Sequence, residues 1–221
     1  MSSFSWMDLG VAVILITVLV KLILFPLTKS SIKTQIKIKE IEPQMEEIKE
    51  KYKDNKEELA KQTMEVYSKN QINPFASFFL VLIQLPILFA LYFVFLKGGL
   101  PDVNFDILYS FIDAPKHIDN IRFLGLIDMT EKNLLLAILA GVSQFFQIKL
   151  VMPKLKEKSK KDSMKDDLVR NMQLQMKYIM PVFIFFIAYG LLSVVALYWV
   201  TSNLFMIGQE LYVRKSIRNN S

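Results

Sequence analysis

The residues of this chain that could do chemistry are polar side chains set inside long apolar stretches. Lys21 lies within residues 6–27, which are almost entirely apolar and numerous enough to cross a bilayer, because roughly 20 helical residues span a hydrocarbon core of ~30 Å. A cation in such a span costs about 2.5–3.5 kcal/mol and is a functional-site hypothesis by default. The polar boundary near Thr28 also allows a second interpretation, in which the lysine side chain extends to the lipid headgroups.

Amide, hydroxyl and indole side chains recur in the apolar stretches. Thr17 precedes Lys21 by one turn, and Gln144 and Gln147 share a helix face with Ser143, because residues three and four apart align on a helix. The candidate binding residues are Lys21, Thr17, Gln84, Gln144, Gln147, Trp199, Ser202 and Asn203. Each amide taken alone is explained by a hydrogen bond between helices. Amides on several helices together with a lysine indicate a shared hydrated cavity that binds acidic groups transiently.

The composition excludes several kinds of active site. The chain has no cysteine and a single histidine, His117, which excludes thiol chemistry and paired-histidine zinc sites. No GxxxxGK[ST] phosphate-binding motif occurs in the sequence, so nucleotide-driven transport has no recognisable site. We therefore expect no metal, no cofactor and no enzymatic activity.

The 221 residues are 52% hydrophobic and 22% charged, and the two classes are segregated into blocks. Such segregation indicates an all-α polytopic membrane protein. The last apolar block, residues 178–208, would be about 46 Å long as one helix, which is too long for one crossing. We therefore place a turn near residues 190–193 and expect two short helices that thin the bilayer. The five predicted transmembrane helices are residues 6–27, 75–96, 133–152, about 178–190 and about 193–209.

The distribution of basic residues predicts the orientation. Residues 28–73 carry ten Lys and residues 153–177 carry eight Lys or Arg, whereas residues 97–132 carry four. Loops rich in Lys and Arg face the cytoplasm, so the first two segments and the basic tail 210–221 are expected inside, and 97–132 forms an outer loop. The N-terminus is then outside and the C-terminus inside. The first apolar block is expected to be a retained span and not a signal peptide.

Residues 29–72 predict a cytoplasmic antiparallel pair of short helices. Apolar residues recur at three- and four-residue spacing on both sides of a turn at Asp54-Asn55, which fits two helices joined along a narrow apolar seam. Pro43 is expected to separate this hairpin from an extension of the first span. The candidate partner-binding residues are Pro43, Met45, Ile48, Tyr52, Leu59 and Tyr67. Two interpretations are open, a solvated spacer and a mobile arm that contacts a partner or an incoming chain.

Several of these residues also carry a family resemblance. The stretches that resemble, in order, the conserved segments of YidC/Oxa-type membrane insertases are residues 20–28, 41–43, 51–54, 72–92 and 197–203. The resemblance covers nearly the whole chain, as one core domain. The sequence departs from the family at Lys21, where bacterial members typically have arginine, and at residues 192–194, where relatives commonly have a Pro-Ala-Gly turn.

The resemblance implies a five-helix core around a hydrophilic groove that is open to the cytoplasm and to lipid and closed to the outside. Such a protein inserts short or single-spanning membrane proteins and helps larger ones to fold. Lys21 would attract acidic flanks of the substrate, although lysine lacks the planar fork with which arginine binds a carboxylate. Gln84, Gln144 and Gln147 would hold water in the groove, and Trp199 would line it.

The implied partners are nascent membrane proteins and the bilayer of a bacterial plasma membrane, with no DNA. The basic tail with Arg214, Lys215 and Arg218 either contacts ribosomal RNA or simply follows the orientation rule. A Sec-type translocon is a further candidate partner. Two other functions remain open, a small-solute anion transporter or channel that uses Lys21 and a membrane assembly scaffold whose hairpin tethers cytoplasmic proteins.

Overall fold

The computed structural model describes residues 8–73, 86, 87, 89, 90, 93, 121–152 and 164–219. Within these ranges the chain forms seven helices and one short β-hairpin. The helical fold class agrees with the prediction, and the β-hairpin is an element that the sequence did not predict. Most of the predicted span 75–96 lies outside the described residues. Of its described residues, Phe89 and Phe93 are helical and exposed.

The first apolar block is not one continuous helix. Helix α1 spans Leu9–Ile23, the chain turns at Leu24, and α2 spans Phe25–Glu40. Pro26 lies in the first turn of α2, where it has no N–H to donate, and its ring would clash with the carbonyl four residues earlier in a continuous helix. The structure therefore differs from the helix predicted over 6–27, because the proline ends α1 before the apolar block ends.

Helices α3 and α4 follow directly and pack against each other. Helix α3 spans Glu42–Lys51 with Pro43 in its first turn, and α4 spans Lys56–Lys69. Asn55 caps α4, because its side-chain oxygen accepts a hydrogen bond from the backbone N–H of Glu58 at 3.1 Å. Apolar residues spaced three and four apart meet in one small cluster, whose buried members are Ile41, Met45, Val66 and Ile72.

The predicted outer loop ends in a β-hairpin. Strand β1, Arg122–Phe123, pairs antiparallel with β2, Ile127–Asp128. Helix α5 then spans Leu134–Val151, and its cap is Asn133, whose side chain accepts a hydrogen bond from the backbone N–H of Leu136 at 3.0 Å. An Asn before an apolar run is a typical helix start, and this start lies one residue after the predicted one.

The last two helices are longer than predicted. Helix α6 spans Met164–Gly190 and α7 spans Ser193–Asn219, with 27 residues each. The turn between them lies where the sequence places it. Both helices continue into the charged flanks, because Lys, Arg, Glu, Gln and Met are good helix formers. The expectation of two short helices is therefore wrong for α6, which contains a 21-residue candidate span, Arg170–Gly190.

Among the described residues, two helices are long and apolar enough to cross a membrane, Leu134–Val151 and Arg170–Gly190. Helices α1 and α2 qualify only when they are counted together as one bent span. The apolar part of α7 passes no such test within the same residues. The number of five crossings stays a prediction.

Chain contacts divide the protein into two compact units. The first unit contains Met1–Ile23 and Leu88–Gly208, and the second contains Leu24–Ile87 and Gln209–Ser221. In the first unit α5 packs along α6. Gly141 permits this close approach, because a Cβ atom there would lie 3.1 Å from both the Phe185 Cβ and the Pro181 carbonyl oxygen.

Candidate functional site

One face of α1 is buried and carries the candidate lysine. The buried residues of α1 are Gly10, Val13, Thr17 and Lys21, which recur at the three- and four-residue spacing of a single helix face. Lys21 is 6% exposed. Large apolar residues cover the other faces, and the most exposed include Leu15, Ile16, Leu19, Leu22 and Ile23. Lys21 therefore faces the protein interior and not the surface that lipid would cover.

Thr17 lies on the same face one turn before Lys21. Its hydroxyl donates a hydrogen bond to the Val13 carbonyl at 2.6 Å, so the donor is satisfied within the helix and an acceptor lone pair remains on the oxygen. A buried hydroxyl and a buried ammonium on one stripe give α1 a polar inner face. The role of Thr17 and Lys21 as binding residues stays a prediction.

A second polar contact joins α5 to α7 in the first unit. The side-chain amide of Asn203 donates to the Ser143 hydroxyl oxygen at 3.1 Å, and that hydroxyl donates to the Ala140 carbonyl at 3.0 Å. Asn203, Ser143 and Ser202 are all buried, with exposures of 4%, 6% and 2%. The structure thus brings Asn203 together with Ser143, a residue recognised in the sequence only as a neighbour of the two glutamines.

The two glutamines of α5 bind each other. The Gln144 amide donates to the Gln147 side-chain carbonyl at 3.1 Å, and both side chains are half-buried. Trp199 on α7 is also half-buried. The remaining candidate, Gln84, lies outside the described residues.

Hydrogen bonds at the opposite end of α1 hold the β-hairpin in place, and the sequence analysis missed them. Asp8 is buried, and its two carboxylate oxygens accept from the backbone N–H groups of Val11 at 2.8 Å and Leu124 at 2.9 Å. The first contact is a helix cap, which an Asp before an apolar run signals in a sequence. The second joins residues 116 apart, which no local pattern could indicate.

The start of α7 is fixed to the same region. The backbone N–H and the hydroxyl of Ser193 both donate to the Glu131 carbonyl, at 2.7 and 2.6 Å, and the Val194 N–H donates to the Met129 carbonyl at 3.2 Å. Met129 is fully buried. The segment after β2 therefore caps α7 with two carbonyl acceptors, which satisfies donors that every helix start leaves unpaired.

The second unit contains a buried ion pair that the sequence did not predict. Arg214 donates from Nε and Nη2 to one oxygen of Glu210, each at 2.7 Å, and Glu210 is 3% exposed. Burial and the nearby Arg214 charge lower the pKa of Lys39 in α2, while Glu210 and Glu42 raise it. This cluster joins the ends of α2 and α7 by charge. In the same unit the Phe25 and Tyr212 rings make a tilted contact, with ring centroids 6.1 Å apart and an interplanar angle of 54°.

The candidate partner-binding residues divide into two groups. Met45 is buried in the apolar cluster of the second unit, and Ile48 and Tyr67 pack against that cluster, so these three side chains hold α3 and α4 together. Pro43 is exposed, whereas Leu59 is half-buried. Tyr52 and Ile48 also line a groove of about 320 Å³ between α3 and α4, whose other walls include Glu47, Lys51, Gln62 and Glu65.

Among the described residues no cluster of three or more His, Asp or Glu side chains could hold a metal ion.

Comparison with known proteins supplies the family. The sequence profile described as "60Kd inner membrane protein" matches residues 1–220. Three proteins named "Membrane protein insertase YidC" are similar to this chain over most of both lengths. The relative from Clostridium tetani is 34% identical, and the match covers 96% of this chain and 84% of the relative. For Oceanobacillus iheyensis the identity is 34%, with 93% of this chain and 74% of the relative covered. For Fusobacterium nucleatum the identity is 31%, with 94% and 87% covered. The chain therefore belongs to the 60Kd inner membrane protein family, the YidC/Oxa-type family whose motifs its sequence carries.

Proposed function

We propose that this protein is a membrane protein insertase that also helps membrane proteins to fold. Its relatives carry the name of that activity. The observation that carries the proposal for this chain is the buried polar stripe of Thr17 and Lys21 on a helix whose other faces are apolar. Placing a cation inside a transmembrane segment costs free energy. A function that needs a positive charge at that depth explains why Lys21 is present. The proposed activity is not enzymatic.

The stripe would act on the polar flank of a substrate. Hydrocarbon offers no hydrogen-bond partners, so a polar chain segment meets a large free-energy barrier when it crosses a bilayer. A groove lined by Lys21, Thr17, Gln84, Gln144, Gln147, Trp199, Ser202 and Asn203 would shorten that path. The Lys21 ammonium would attract acidic residues of the flank, with a strength that depends on how much water the groove holds.

The apolar segment of the substrate would supply the driving force. Each Å² of apolar surface that leaves water contributes about 25 cal/mol, so a transmembrane segment gains much more than one ion contact. The apolar outer faces of α1, for example Leu15 and Leu19, offer that segment a route into lipid. The polar stripe would therefore lower the barrier, while the bilayer would determine the end state.

Orientation and further partners belong to the same proposal. We place the N-terminus outside and the C-terminus in the cytoplasm of a bacterial cell, with α3 and α4 on the cytoplasmic side. Lys215 and Arg218 are exposed near the end of α7 and would contact ribosomal RNA by charge attraction. A Sec-type translocon is a second proposed partner.

Substitution of Lys21 in a complementation assay tests the role of the charge. A strain depleted of its own insertase would express the wild-type chain, Lys21→Arg, Lys21→Ala or Lys21→Glu, and insertion of a single-span reporter with an acidic flank would be measured by protease protection. We expect Arg to support insertion, Ala to reduce it and Glu to reduce it most, because like charges repel. Lys149→Ala is the matched control, because Lys149 is an exposed lysine near the end of α5.

Two results separate the possible conclusions. Equal insertion by all Lys21 variants would reject the electrostatic role while leaving the insertase activity in place. A wild-type chain that fails to restore insertion of any reporter would reject the insertase proposal itself. Membrane levels of each variant, measured in the same cells, would distinguish lost function from lost protein.

A further inference from the structure

The turn of the β-hairpin has an unfavourable residue at its tip. Leu124 and Gly125 both have positive φ angles, +52° and +72°, and the Leu126 N–H donates to the Phe123 carbonyl at 3.0 Å. Two successive residues with positive φ are the feature of a type I′ turn, whose first position normally carries Asn, Asp or Gly. A leucine there has a strained backbone, and strain that a fold maintains often marks a functional position.

The same turn is held firmly at the end of α1. The Leu124 N–H donates to the buried Asp8 carboxylate at 2.9 Å, so the tip lies level with the first residues of that helix. Phe123 packs over Gly10 so closely that a Cβ atom at Gly10 would lie 2.6 Å from the Phe123 Cγ. The hairpin is therefore fixed at the boundary where the apolar part of α1 begins.

The side chains at the tip are apolar and exposed. Leu126 is 82% exposed, the highest value among the large hydrophobic residues that the structure describes, and Leu124 is 67% exposed. Leu134 and Leu135, at the start of the candidate span α5, are also exposed. These two leucines lie in the first turn of the candidate span α5, which follows the hairpin in the chain. Arg122 and Lys132, which flank the tip, are exposed basic residues.

We propose that Leu124 and Leu126 insert into the bilayer at the boundary between headgroups and acyl chains, and anchor the hairpin end of the first unit to lipid. Apolar tips with basic neighbours are the usual composition of segments that lie in this interface. A protein partner fits the surface less well, because two leucines on one turn offer far less area than the roughly 1,000 Å² that a specific protein interface buries. The inference requires only that the protein is embedded in a membrane, and it is independent of the proposed role of Lys21.

Site-specific fluorescence in the full-length protein tests this anchor. The chain has no cysteine, so Leu126→Cys would carry the only thiol for an environment-sensitive label. The purified labelled protein would be placed in vesicles of phosphatidylethanolamine and phosphatidylglycerol, with a spin-label quencher either just below the headgroup or deep in the acyl chain. Leu15→Cys on the apolar face of α1 is the lipid-exposed control, and Glu131→Cys, an exposed residue after the hairpin, is the aqueous control.

We expect the label at residue 126 to emit at shorter wavelength than the label at residue 131, and the shallow quencher to reduce its emission more than the deep one. The Leu15→Cys label should respond more to the deep quencher. Emission and quenching equal to those of the Glu131→Cys label would place the tip in water and overturn the proposal. A short emission wavelength without quenching by either the shallow or the deep quencher would also overturn the proposal, since a protein surface and not lipid would then cover the tip. Equal stability of the labelled variants in detergent would check that the label leaves the fold intact.

Discussion

The Asp8 carboxylate connects the first turn of α1 with the tip of a β-hairpin 116 residues later. One oxygen accepts from the Val11 N–H at 2.8 Å and the other from the Leu124 N–H at 2.9 Å. The side chain is buried, so each hydrogen bond satisfies charge that would otherwise be desolvated without compensation. A single acidic residue therefore caps a helix and positions the strained turn that carries the proposed lipid anchor.

Removal of this carboxylate should destabilise the first unit. We expect Asp8→Ala to lower the free energy of unfolding by about 1–3 kcal/mol, because a helix cap and a charged hydrogen bond are both lost. Asn133→Ala is the matched control, since it removes one local cap on α5 and should lower stability by about 1 kcal/mol. Thermal unfolding in detergent would measure both. A smaller effect for Asp8→Ala than for Asn133→Ala would contradict the structural role of the Leu124 contact.

Two glycines should respond in opposite directions to alanine. At Gly10 the added Cβ would lie 2.6 Å from the Phe123 Cγ and 2.7 Å from its Cβ, so the hairpin must move, and we expect a loss of about 1–3 kcal/mol. At Gly208, inside α7, nothing lies within 4 Å of the added atom, and the greater helix propensity of alanine should add about 0.5–1 kcal/mol. Unfolding of the two variants under the same conditions would measure both changes in stability. Loss of stability at both sites would contradict the open surroundings of Gly208.

The contact between α5 and α7 should have a modest coupling energy. Ser143→Ala, Asn203→Ala and the double variant form a thermodynamic cycle around the 3.1 Å hydrogen bond. We expect a coupling of about 0.6 kcal/mol, because hydrogen bonds between transmembrane helices average that value and rarely exceed about 1.7 kcal/mol. Denaturant unfolding of the four proteins would give the coupling energy. Additive single effects would mean that the contact contributes no energy.

The hairpin should weaken at acidic pH through Asp128. Hydrogen bonds from the Thr130 hydroxyl at 2.6 Å and backbone N–H at 2.9 Å, with a smaller contribution from Arg122, lower the pKa of Asp128 below its ordinary 3.8. Because the folded pKa lies below the unfolded pKa, this stabilisation is fully present above pH 3.8 and is lost as the pH falls through the folded pKa.

Thr130→Val tests the linkage by removing the hydroxyl while retaining the backbone donor. We expect its melting temperature to fall less than that of the wild type when the pH is lowered from neutral to values below 3.8, where the Asp128 stabilisation is lost. Thr130→Ser should retain the wild-type pH dependence, because it restores the donor. The same pH dependence in wild type and Thr130→Val would show that the hydroxyl does not hold the Asp128 pKa down.

The stability of the second unit should depend on the buried Glu210 carboxylate. Glu210→Gln removes the charge that binds Arg214 at two 2.7 Å contacts, and we expect a loss of about 1.5–3 kcal/mol. Glu210 also raises the pKa of Lys39, so the variant should lower that pKa further. Lys215→Ala, at an exposed position one residue after Arg214, should change stability by less than about 0.5 kcal/mol. Equal effects of both substitutions would contradict a structural ion pair.

Local sequence patterns were sufficient for the helical fold class, the family and several helix ends. The turn at Asp54-Asn55, the cap at Asn133 and the break between Gly190 and Ser193 depend on residues that are adjacent in the chain, and composition alone indicates a membrane protein. The same local reasoning could have found the Asp8 cap and the break before Pro26. These features follow from the conformational preferences of single residues and from the segregation of apolar and charged blocks.

The tertiary structure decided which of two faces each polar residue occupies and with which distant group it pairs. Spacing identified Thr17 and Lys21 as neighbours, but only packing placed them on the buried face of α1. The pairs Asp8–Leu124, Ser143–Asn203 and Ser193–Glu131 join segments far apart in sequence. Such contacts depend on how whole helices meet, and a pattern that repeats every few residues contains no information about a partner 60 or 116 residues away.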